Sequence, residues 1–155
     1  MEPRVDIRKY LKSDAVQAMF KLGKAVEASG LERSLLGLIE VRASQINHCA
    51  YCIDMHWKDA RARGETEQRL YGLEAWRESP YYSERERAAL EWIEAITRVA
   101  ETQVPDEVYE QVRRHFDEEQ LVALTFAAVT INAWNRLSIS MRAPAGTYQP
   151  QAVHA

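Results

Sequence analysis

Two four-residue signals constrain this chain more than anything else in it. Ser83-Glu84-Arg85-Glu86 and Asp117-Glu118-Glu119-Gln120 each put a short polar residue three positions before a glutamate or glutamine, the pattern of a capping box. Both lead straight into apolar residues at helical spacing. After the first come Ala88, Leu90, Trp92, Ile93, Ile96 and Val99; after the second comes the most apolar segment of the chain, Leu121 to about Ser140, expected to be a largely buried helix. Gly and Pro together supply only 11 of 155 residues, against 46% hydrophobic and 28% charged residues, so turn formers are scarce and helix formers abundant. The fold class this predicts is all-α: a single domain, residues 1–155, forming a compact bundle of six to seven helices.

The remaining elements follow from local signals. Residues 1–12 lack a clear period and read as an extended N-terminal arm. Ser13-Asp14 opens a helix over about 14–28, stopped by Ser29-Gly30. From Glu32 to about Ile46 the apolar positions wrap more than one stripe, predicting a central helix. Asn47-His48 interrupts it, and the next helix runs to Gly64, a good left-handed terminator. A short helix from Glu65-Thr66 to about Trp76 ends before Ser79-Pro80, and Val104-Pro105-Asp106 starts another that reaches about Phe116. The tail, 143–155, is expected to be loose or laid across a partner. Trp57, Trp76, Trp92 and Trp134 read as core or interface, and His115 and His154 as surface or tail residues.

The interrupted region carries the chemistry. Cys49 and Cys52 are the only two cysteines, and His56 follows four residues after the second. In a helix these three fall at about 0°, 300° and 340° around the axis, on one face. With Asn47 as N-cap and the helix starting near Cys49, both sulfurs would sit where unpaired N–H groups and the helix dipole favour a thiolate. A thiol pair so placed can attack an oxidant and resolve the product as a disulfide, with His56 moving the proton. Two other readings stay open from the residues alone: a metal site, for which Cys49, Cys52 and His56 supply only three ligands, and two cysteines that are simply small core residues. Glu40, on the preceding helix, could orient His56 or instead pair with Arg42. His48 could depress the thiol pKa or lie on the surface. Tyr51, between the cysteines, could donate to a peroxide or pack on a neighbouring helix.

Charge excludes several partners. A net charge of −3 with interspersed signs leaves no basic patch for nucleic acid. No apolar run approaches the roughly 18–20 residues of a membrane span, and the N-terminus lacks a signal peptide's apolar core, so the expectation is a cytoplasmic protein without a membrane role. In that reducing compartment a close cysteine pair points to catalysis or metal rather than to a structural staple.

Arg42-Ala43-Ser44-Gln45-Ile46-Asn47, Cys49-Ala50-Tyr51-Cys52, Asp54-Met55-His56, Asp59-Ala60-Arg61, Glu65 through Tyr71 and Ile131-Asn132-Ala133-Trp134-Asn135-Arg136 together resemble the alkylhydroperoxidase D-like branch of the carboxymuconolactone decarboxylase family. The resemblance covers roughly residues 15–145. It implies an all-α fold assembling into trimers or hexamers and a redox-active pair at Cys49 and Cys52 with His56 as relay base. It also implies reduction of a small hydroperoxide without metal, haem or other cofactor. Electrons would come from a thiol or lipoyl-type donor, and a peroxiredoxin is a possible partner. The alternatives are a protein or lipoyl disulfide reductase with weak peroxidase activity, and a non-enzymatic redox-sensing or metal-binding helical module. Two positions depart from the family pattern. The relay glutamate usually stands twelve residues before the first cysteine, where this chain has Gly37; Glu40 lies about 60° around and about 4.5 Å along the helix from there. The family usually has glycine where this chain has His48.

Overall fold

The computed structural model describes residues 2–150; Met1 and residues 151–155, with them His154 and the end of the tail, lie outside the described part. Eight α-helices occur among the described residues: α1 (Asp14–Glu27), α2 (Arg33–Ile46), α3 (Ala50–Ala62), α4 (Glu67–Tyr71), α5 (Glu84–Thr97), α6 (Val99–Thr102), α7 (Asp106–Arg113) and α8 (Glu118–Met141). α2 is the centre, packed on α3, α5 and α8. Its Leu35, Leu36, Leu38, Ile39 and Val41 are all buried, as expected of a helix whose apolar residues wrap around it.

Both capping boxes are formed. Ser83 and Glu86 satisfy each other's backbone N–H groups at the start of α5, and Asp117 and Gln120 do the same for α8. The helix expected to reach Val99 stops at Thr97 instead, because Arg98 leaves helical geometry and the chain restarts as the four-residue α6. That extra break takes the count to eight. Gln103 and Val104 then adopt left-handed backbone, and Pro105 caps α7.

Two further differences concern surface and termini. α8 buries Leu121, Leu124, Ala127, Ala128 and Ile131, yet Val122, Phe126 and Val129 are about half exposed. The helix meets the bundle along one face only, so its apolar content exceeds what a single chain can cover. The N-terminal arm is not uniformly extended: Ile7–Tyr10 forms a 3-10 turn capped by Asp6, and Arg4 N–H donates to the Met141 carbonyl at 3.0 Å. Over 143–150 the tail is tied down by hydrogen bonds, though most of its residues stay exposed. It folds back on α3 of its own chain: Gly146 N–H donates to Asp54 Oδ2 (3.0 Å), Lys58 Nζ to the Tyr148 carbonyl (3.1 Å), and Tyr148 OH to Asp59 Oδ1 (2.8 Å).

A buried ion pair fixes α2 against α5. Arg42 Nε donates to Glu94 Oε1 at 2.7 Å, Trp76 Nε1 donates to the same oxygen at 2.8 Å, and Arg77 reaches Oε2 at 2.7 Å. Burial opposes ionisation of Glu94, but hydrogen bonds from Trp76, Arg77 and Arg42 outweigh it and hold the carboxyl below the ordinary glutamate value. Arg42 is thereby committed to Glu94, which leaves Glu40 without the neighbour that would otherwise have claimed it.

Candidate active site

The turn between α2 and α3 shapes the site. α2 ends in a Schellman motif: His48 N–H donates to the Gln45 carbonyl and Cys49 N–H to the Ser44 carbonyl, each at 3.0 Å. Such a motif requires left-handed backbone at its penultimate position, and His48 supplies it with φ 56°. The family's habitual glycine at this position is explained by the same geometry, which imposes strain on any residue with a Cβ. Replacing His48 with glycine relieves about 1–2 kcal/mol of left-handed strain against a glycine entropy cost of roughly 0.5–1 kcal/mol. The His48→Gly protein is therefore expected to unfold at higher urea concentration; a lower midpoint would show that the imidazole compensates the strain.

Asn47 is not the N-cap of the dithiol helix. It is the C-cap of α2, its side chain turned into the bundle, and the N-cap of α3 is Cys49 itself, whose Sγ accepts from Cys52 N–H at 3.4 Å. Cys52 is then the third residue of α3, and the two sulfurs are joined as a disulfide. Both cysteines are almost fully buried.

α2 and α3 run antiparallel, so residues pair across them in opposite order. Glu40 meets His56, with Oε2 3.1 Å from Nδ1, while the Cβ that a residue at position 37 would carry lies 3.7 Å from Ala60 Cβ, one turn further along. A carboxylate at that distance favours a proton on Nδ1, which leaves Nε2 as the proton-accepting atom. Nε2 is buried and has no hydrogen-bond partner among the described residues. His56 and Cys52 both line a cavity of about 930 Å³; Cys49 does not. The remaining wall is mostly apolar, with Phe20, Met55, Ile131 and Trp134 prominent, and the segments before α1 and after α8 contribute Val5 and Tyr148.

The other expected residues are placed as follows. Tyr51 lines the cavity, its phenol raised above the ordinary value by burial and by the carboxylates of Asp54 and Asp59. Tyr148, which sequence reasoning left in the tail, is pushed up to about 12 by burial and by its hydrogen bond to Asp59, so it stays a donor through neutral pH. His48 is exposed and outside the cavity wall, and His115 is half-buried with its carbonyl accepting from Arg85. Trp76 and Trp92 are core residues, Trp57 stacks on Tyr71, and Trp134 lies against Phe20 at the cavity. Among the described residues, no group of three or more His, Cys, Asp and Glu side chains is arranged to hold a metal ion, and no helix is long and apolar enough to cross a membrane.

Comparison with known proteins agrees with this architecture. The model of the carboxymuconolactone decarboxylase family matches residues 13–95, more than half of the chain. The uncharacterized protein YdfG of Bacillus subtilis (strain 168) is 49% identical over 128 residues, covering 83% of this chain and 87% of YdfG. A crystal structure of a protein of unknown function from Agrobacterium tumefaciens, provisionally described as an antioxidant defence protein AhpD, is 41% identical and superposes with a TM-score of 0.90 over 95% of this chain and all of that one. The alkylhydroperoxidase AhpD core of an uncharacterized peroxidase-related protein from Ralstonia eutropha JMP134 shares the fold at a TM-score of 0.79 and 20% identity, over 94% of this chain and 77% of that one. The chain belongs to the carboxymuconolactone decarboxylase family, in its alkylhydroperoxidase D-like branch.

Proposed function

We propose that this protein is a thiol-dependent peroxidase that reduces organic hydroperoxides through the Cys49–Cys52 pair. The observation that carries the reading is that Cys52 and His56 line one mostly apolar cavity, with His56 Nε2 unpartnered among the described residues and the Glu40 carboxylate 3.1 Å from the opposite ring nitrogen. His56 accepts the Cys52 thiol proton. The thiolate attacks the terminal oxygen of the hydroperoxide, the O–O bond breaks, and the alcohol leaves with the proton returned from His56. Cys52 is then a sulfenic acid. Cys49, whose thiolate is favoured at the N-cap of α3, displaces its oxygen as water and closes the disulfide. Two electrons from a thiol or lipoyl-type donor reopen it, with no cofactor involved. A peroxiredoxin would be a natural partner in the same chain of transfers, and the reducing cytoplasm the natural setting. The exposed apolar stripe of α8 supports assembly into a homo-oligomer, a trimer or hexamer.

Reduced protein mixed with cumene hydroperoxide is expected to form one equivalent of cumyl alcohol per two thiols lost, and to turn over when dihydrolipoamide is added. Oxidised lipoamide or a protein disulfide reduced faster than the peroxide would favour a disulfide reductase instead. Zinc retained through purification, with thiols silent toward Ellman's reagent, would replace both with a metal-binding module.

A further inference from the structure

Between the dithiol turn and α8 lies a set of buried amides that the mechanism above does not use. Asn47 Nδ2 donates to the Ala43 carbonyl (3.0 Å) and faces Asn132 Oδ1 and Asn135 Oδ1, each at 2.9 Å. Asn135 Nδ2 donates to Ser44 Oγ (3.0 Å), and that hydroxyl donates to the Glu40 carbonyl (2.7 Å). Asn132 Nδ2 continues the cluster to Thr97 Oγ1 on α5 at 3.0 Å. Ser44 and Asn135 are completely buried and Asn132 nearly so. Buried amides are costly unless every group is partnered, so this cluster tolerates few arrangements.

Its position gives that rigidity a consequence. Ser44 supplies the carbonyl that receives Cys49 N–H, Asn47 immediately precedes the left-handed residue of the turn, and Glu40 carries the carboxylate on His56. One cluster therefore fixes where Cys49 stands relative to Cys52 and where Glu40 stands relative to His56. Closing a disulfide between two thiols is an intramolecular reaction whose equilibrium depends on how strictly the scaffold holds them together.

We infer that Ser44, Asn47, Asn132 and Asn135 are positioning residues that set the reduction potential of the Cys49–Cys52 couple by holding the α2–α3 turn against α8. The inference rests on the reading that these cysteines cycle between dithiol and disulfide. Loosening the turn lowers the effective concentration of one thiol at the other. The disulfide then becomes easier to reduce and the potential rises.

The test is equilibration in glutathione buffers, where one protein disulfide and two glutathione thiols exchange for a protein dithiol and one glutathione disulfide. Samples are quenched by alkylation and read by mass spectrometry. Asn47→Ala is expected to lower the equilibrium constant for disulfide formation about tenfold, equivalent to about 30 mV for a two-electron couple. Ser44→Ala, a smaller change that keeps the turn's own hydrogen bonds, is expected to act in the same direction by about threefold. Val112→Ala, a cavity in the buried α7 contact, serves as the control that destabilises without touching the turn. An equilibrium constant unchanged in both Asn47→Ala and Ser44→Ala would overturn the inference, as would an equal shift in Val112→Ala. A wild-type pair that never exchanges across the buffer series would instead remove the redox reading beneath it.

Discussion

Cys52→Ser protein is expected to reduce hydroperoxides no faster than buffer, whereas Cys49→Ser protein should still consume one equivalent and stop as a sulfenic acid on Cys52. The asymmetry comes from position. Cys52 lines the cavity beside His56, while Cys49 is turned away from it as the N-cap of α3. Only one sulfur can therefore meet a substrate, and the other can only meet its neighbour. Trapping with a dimedone-type reagent followed by peptide mass spectrometry reads the outcome directly. Sulfenate on Cys49 in the Cys52→Ser protein, with none on Cys52 in the Cys49→Ser protein, would reverse the assignment.

The second large effect concerns Glu40. Glu40→Gln should lower kcat/KM for cumene hydroperoxide by about 100-fold, since the neutral amide neither fixes the Nδ1–H tautomer of His56 nor balances the positive ring formed when Nε2 takes the thiol proton. The position the family normally uses offers an internal check. Gly37 stands opposite Ala60, one turn from His56, and a Cβ there makes an ordinary 3.7 Å contact, so the backbone leaves room for a side chain to start at 37. Adding Gly37→Glu to Glu40→Gln is expected to recover about tenfold of the lost rate, by returning a carboxylate to the α2 face that meets α3. In the native background Gly37→Glu should leave the rate within about twofold, because the imidazole is already served. A large rise there would mean that Glu40 is an incomplete substitute.

Much of this was legible before any coordinates. The capping boxes at Ser83 and Asp117 located α5 and α8 because each satisfies its own end locally, and Cys52 and His56 face one cavity because helical periodicity puts residues four apart on one side; Cys49, outside the helix as its N-cap, does not share that face. What depended on distant contacts was not legible. Glu40 and Arg42 stand two residues apart, and only Glu94, fifty-two residues from Arg42, decides which of them is free for His56. Tyr148 reaches Asp59 across eighty-nine residues, so no local pattern announces that the tail walls the cavity. The amide cluster had a signal in the paired motifs Ser44-Gln45-Ile46-Asn47 and Ile131-Asn132-Ala133-Trp134-Asn135. Ser44, Asn47, Asn132 and Asn135 each need partners once the helices pack, and each motif supplies the other's.

Cys49 closes one helix and opens the next, so it answers to two demands that substitution can separate. Serine, aspartate or asparagine there would cap α3 at least as well as a thiol does. Descendants of this chain that abandon electron transfer therefore have an easy route to keep the fold, and position 49 is where such a loss should first be written as a short polar residue. Cys52, inside the helix and facing the cavity, has no such second employment: once its chemistry is gone, only packing constrains what replaces it.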